Sequence, residues 1–137
     1  MSEIDAMNYL LMNRSVFSTL VLCGVLMPLV VVAVAYLFRN LPAAVRAAAM
    51  VNTLIAVVML TFYTQTAQNG AFMILTSLSE MAANGNAVAL NLMTNAGLPV
   101  GEAVQAPAWM MGLSAVQVLI NLVLSVYVFM FAKWGNS

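Results

Sequence analysis

In a chain of 137 residues, 64% are apolar and 6% are charged, with four Lys or Arg balanced by four Asp or Glu. An ordinary soluble domain carries about 25% charged residues, so this composition, with a mean hydropathy of +1.01, points to an all-α integral membrane protein. The even balance and the lack of any basic run leave no electrostatic footprint for nucleic acid and no polybasic patch for anionic lipid.

The first 14 residues place Ser2, Glu3 and Asp5 where a capping box and an acidic first turn would sit, and put Ile4, Met7, Leu10 and Leu11 on one face. This predicts an N-terminal interfacial helix over 1–14, lying at the membrane surface and able to run on into a span. Residues 15–38 carry no charge for 24 positions, about 36 Å of helix, which covers the hydrocarbon with some tilt. They form the expected first transmembrane helix, with Pro28 predicted to kink it. The small residues at 33–35, "AVA", also resemble a signal-peptidase site; retention of the segment as a span is the expectation.

"RNLPAAVR" at 39–46 reads as a tight basic turn, followed by a second span over 47–68. That segment is apolar at first and then polar, through Thr61, Tyr63, Thr64, Gln65, Thr66 and Gln68, the grading of a helix leaving lipid with Tyr63 at headgroup level. Residues 69–107 are expected to be an external interfacial segment holding two short helices. Glu80 interrupts the first, "NGN" at 84–86 is a turn signal, and Gly97 with Pro99 stops the second. A third span over 108–132 starts behind Pro107, anchored by Trp109 at one end and by Lys133 and Trp134 at the other.

With the Arg39–Arg46 turn inside, three basic residues (Arg39, Arg46, Lys133) are cytoplasmic, and all four acids (Glu3, Asp5, Glu80, Glu102) are outside. The positive-inside rule then gives an outside N-terminus and an inside C-terminus, expected in a bacterial inner (plasma) membrane.

Reactive groups are scarce. The absence of histidine removes imidazole-ligated haem and zinc and His general bases. Lone Cys23 can form no intrachain disulfide and reads as a small hydrophobe, and the twelve methionines are scattered as gap fillers rather than set in a metal-binding repeat. No nucleophile motif, phosphate loop or useful carboxylate pair is visible. Glu80 and Glu102 are the only acids that could meet externally, and solvating a surface loop is the simpler account of them. The expectation is a non-enzyme with no cofactor.

The candidate functional residues are polar faces on apolar helices. Ser114, Gln117, Asn121 and Ser125 recur at intervals of three, four and four, on one face of the third span, and Ala108 and Gly112 extend its small-residue side. Asn52 marks the second span, and Ser15, Thr19 and Cys23 make a small-residue run in the first. Amide and hydroxyl groups in lipid seek partners, and small residues let backbones approach, so these faces read as helix interfaces.

The short basic turn between apolar helices is similar in layout to conjugative pilins, and three spans with an outside N-terminus are similar to one class of phage holins. The third span departs from the first pattern and the missing basic tail from the second. The expected role is a small structural or accessory subunit of a larger secretion, respiratory or transport complex, its partners being other membrane subunits, copies of itself and lipid. The alternative is a homo-oligomeric pore lined by Gln117 and Asn121.

Overall fold

A computed structural model describes residues 3–134, and every element in that range is helical. The order is α1 (Glu3–Leu37), α2 (Ala43–Ala83), α3 (Ala87–Asn95), α4 (Ala108–Val126) and a terminal π-helical turn (Tyr127–Phe131). Three of these helices, Ile4–Leu37, Ala43–Ala83 and Ala108–Phe131, are long and apolar enough to cross a membrane, which marks the chain as a multi-pass membrane protein. The capping box expected at Ser2, with the Glu3 side chain, lies outside the described residues.

The structure sets two boundaries. Of the two arrangements open to the segment 1–14, it takes the continuous one: from Glu3 it runs into the first span rather than forming a separate helix. The second helix does not end at Gln68 but runs on to Ala83. Within the expected 69–107 segment, α3 is therefore the one separate helix among the described residues.

The reason lies in where the hydroxyls go. Thr61 donates to the Val57 carbonyl at 2.8 Å, Thr76 to Phe72 at 2.9 Å and Ser77 to Met73 at 3.2 Å, so polar side chains are satisfied four residues back on their own helix. A polar stretch satisfied in this way does not end the helix. What does end it is Gly85, in the left-handed region at φ 89°. The Gly85 amide bonds the Ala82 carbonyl and the Asn86 amide bonds that of Met81, a Schellman cap that answers the last carbonyls of α2.

Asn86 then caps the N-terminus of α3, its side chain accepting from the amides of Val88 at 3.1 Å and Ala89 at 2.9 Å. The same C-terminal device closes α3 at Gly97 (φ 65°), with Gly97 bonded to Thr94 and Leu98 to Met93.

The chain divides into two compact units, and α1 and α2 each contribute to both. The first unit takes α1 through Thr19, α2 from Thr64, α3 and the segment up to Ala108. Its core is Ala6, Ile74, Leu78, Ala82, Ala89, Met93 and Val104, all buried. The segment after α3 is tied to α2: Ser79 Oγ donates to the Pro99 carbonyl at 2.9 Å and accepts from the Glu102 amide at 3.2 Å, and the Val104 amide donates to Thr76 Oγ1 at 3.0 Å. Gly101 (φ 80°) donates to the Ser79 carbonyl, and a Cβ there would lie 3.3 Å from that of Ala83. Only glycine combines that backbone conformation with so close an approach. Asn13 Nδ2 adds a bond from α1 to the Ala67 carbonyl at 2.8 Å.

The second unit takes α1 from Leu20, α2 through Tyr63, and α4 with its π turn. Val31, Ala35, Val128 and Phe129 form its core. The wide turn, closed by the Ala132 amide on the Tyr127 carbonyl at 2.9 Å, shifts the phase of the helix so that the adjacent residues Val128 and Phe129 are both buried.

Candidate functional site

The polar face of α4 is explained first by a proline in α1. Pro28 has no amide hydrogen, so it leaves the carbonyl four residues back, that of Gly24, without its helical donor. Gln117 Nε2 donates to that carbonyl at 2.6 Å. A neighbouring helix thus restores the hydrogen bond that proline removes, which is how an apolar span tolerates proline in lipid. The approach does not require glycine, because a Cβ at Gly24 would stand 3.7 Å from Gln117 Nε2, an ordinary contact.

One turn further along α4, Asn121 is 3% exposed, and one more turn on, Ser125 is fully buried and donates to the Asn121 carbonyl at 2.7 Å. The Asn121 Oδ1 is buried with no hydrogen-bond partner. An unanswered acceptor of this kind costs more than the bond it could make. Replacing Asn121 by leucine, of similar shape, is therefore expected to leave thermal stability in mild detergent unchanged or raised by about 1 kcal/mol. Loss of stability in that measurement would show that the amide has a partner. A lumen built by several copies would need Gln117 and Asn121 on the outer surface, and in this chain one is engaged with α1 and the other is buried.

The remaining residues of the expected interface are placed differently. Ser114 is half-buried, whereas Ala108 and Gly112 are exposed, with open space where a Gly112 Cβ would point. Asn52 is exposed on α2 and lines a groove of about 440 Å³ between α1 and α2. Cys23 is exposed, and Thr19 bonds back to the Ser15 carbonyl at 3.0 Å. The sequence pattern therefore gathers Gln117, Asn121 and Ser125 against the rest of the chain and leaves Asn52, Ala108 and Gly112 facing outward.

The Glu102 amide donates to the Oγ of Ser79, the residue before Glu80, and both acids are exposed. No group of three or more His, Cys, Asp or Glu able to hold a metal occurs among the described residues. In the second unit, Arg39 stacks over the Tyr36 ring with its guanidinium carbon 3.8 Å from the centroid and donates to the Tyr36 carbonyl at 3.0 Å. Trp134, next in sequence to exposed Lys133, meets the Tyr36 ring edge-on, with centroids 5.5 Å apart. Arg46 is half-buried, and its Nε has no partner.

The ties made by Asn13, Thr76 and Ser79 were not among the residues singled out from the sequence. Their partners lie 20 to 54 positions away, beyond any helical spacing. No protein-family model, curated protein or solved structure matches the chain.

Proposed function

We propose that this protein is a non-enzymatic accessory subunit of a larger bacterial inner-membrane assembly, with its first unit on the outer side serving as the docking body and the Arg39–Arg46 turn and C-terminus inside. The observation that carries this reading is the first unit itself. With 35 and 41 residues, α1 and α2 are about 50 and 60 Å long, against a hydrocarbon thickness of about 30 Å. Each has length to spare beyond a span, and the spare length belongs to a packed body held by the Ser79 and Thr76 ties.

That body holds all four acidic residues of the chain. It also leaves Met73 72% exposed, with Val88, Leu90, Leu92 and Val100 exposed as well. Exposed apolar side chains of this kind are what a docking partner would cover.

A photo-crosslinking side chain at Met73, introduced in the native membrane, tests the proposal. It should give a discrete adduct with another membrane protein, and the same protein should stay with the chain through gentle extraction and be lost in Met73→Lys. A chain that runs as a stable monomer in mild detergent and forms no adduct at Met73 would rule the role out.

A further inference from the structure

The outward face of α2 in the first unit carries two anchors of different chemistry. Ile74, Leu78 and Ala82 turn inward to the core, while Met73, Ser77, Glu80 and Asn84, at intervals of four, three and four, share the other side of the helix. Met73 is 72% exposed, and Glu80, two turns or about 10 Å further along, is exposed as well. We infer that this face docks a basic, apolar segment of a partner membrane protein, with a Lys or Arg at Glu80 and an apolar side chain on Met73. The inference rests on the docking role proposed above and specifies the chemistry of the partner.

Charge is the ground for this occupant. Glu80 lies in the last turn of α2, where the helix carbonyls already make the field negative, and that turn holds no basic residue. The first unit cannot supply one. Its only Lys or Arg is Arg14. The preceding residue, Asn13, bonds the Ala67 carbonyl, thirteen residues or about 20 Å back along α2 from Glu80. With four acids against that one cation, the unit is net negative. A cation brought from outside would answer both the carboxylate and the helix end, and apolar contact at Met73 would keep it in register.

The same charge opposes the other occupants. A second copy meeting this face about a two-fold axis would set Glu80 against Glu80, and anionic lipid headgroups would meet a carboxylate of their own sign.

The test places a photo-crosslinking side chain at Ser77, between the two anchors, in the full chain in its native membrane. A discrete protein adduct is expected, with Lys or Arg in the captured peptide of the partner. Glu80→Gln should lower the yield about threefold, the measure of one partly exposed ion pair, and Glu80→Lys about tenfold. Glu80→Asp should keep most of it. Raising the salt from about 0.05 to about 0.5 M should weaken the adduct formed with Glu80 and leave that of Glu80→Gln unchanged. In the isolated chain, Glu80→Gln should leave the thermal unfolding temperature unchanged or raised, because it removes an anion from the negative end of a helix. A lowered unfolding temperature overturns the inference by showing that Glu80 has its partner within the chain. An adduct whose yield ignores both salt and Glu80→Gln overturns it while the docking role stands, and so does capture of lipid or of a second copy at Ser77 beside a protein adduct at Met73. No protein adduct at either position removes the docking role and the inference together.

Discussion

Leu78→Ala should destabilise the protein by about 3 kcal/mol and release the amides of α3 and of residues 97–107 to hydrogen exchange together. Leu78 is 1% exposed at the centre of the first unit, where it shares a core with Ala6, Ala82, Ala89, Met93 and Val104. Truncation there removes contacts from α1, from α3 and from the segment that Ser79 ties down, and the cavity cannot close without moving all three. Leu119→Ala on α4 is the matched control. Leu119 is 65% exposed on a spanning helix, and lipid or detergent replaces its contacts at little cost, because hydrocarbon is as apolar as leucine. Thermal unfolding in mild detergent with hydrogen exchange read segment by segment separates the two. Equal effects from both substitutions would mean that the first unit has no packed core of its own.

The second large effect is a coupling. Gln117→Leu removes the donor from the Gly24 carbonyl and leaves it unpaired in an apolar span, at a cost of about 1 kcal/mol. In a Pro28→Ala background, residue 28 regains its amide hydrogen and can bond Gly24 along the helix. There, the same Gln117→Leu change should cost almost nothing. A double-mutant cycle over positions 28 and 117, measured by reversible unfolding in detergent, should give a coupling energy close to the whole cost of the Gln117 change. Additive effects would show that the 2.6 Å bond does not serve to repair the proline site. Asn121→Leu, one turn away and chemically the same replacement, carries the opposite expected sign because its Oδ1 has no partner to lose.

These two residues show how the polar face of α4 should be understood. The spacing of Ser114, Gln117, Asn121 and Ser125 correctly places them on one face, but it cannot distinguish a contact within the chain from one with another protein. Gln117 finds its neighbour at Gly24, 93 residues away. Ser125 turns back on its own helix, while Ala108 is exposed and Gly112 has open space where a Cβ would point. The faces still open to outside partners are thus on other residues: Asn52 in the groove, and the exposed apolar side chains of the first unit. In the absence of any matching protein, these surfaces are the most direct handle on what the chain does.

Composition and hydropathy determined the class of the protein and the number of helices able to span a membrane, because transfer of side chains into lipid is a local, additive cost that can be summed along a sequence. Turn chemistry determined Gly85, Asn86 and Gly97 as helix boundaries, because positive φ and capping are properties of single residues and their immediate neighbours. The tertiary structure alone decided that Ser79 and Thr76 hold the segment after α3 and that Gln117 answers Pro28. A buried polar group is favourable or costly according to whether a hydrogen-bond partner is present. In this fold the partners that matter stand 20 to 93 residues away in sequence, where no local pattern can point to them.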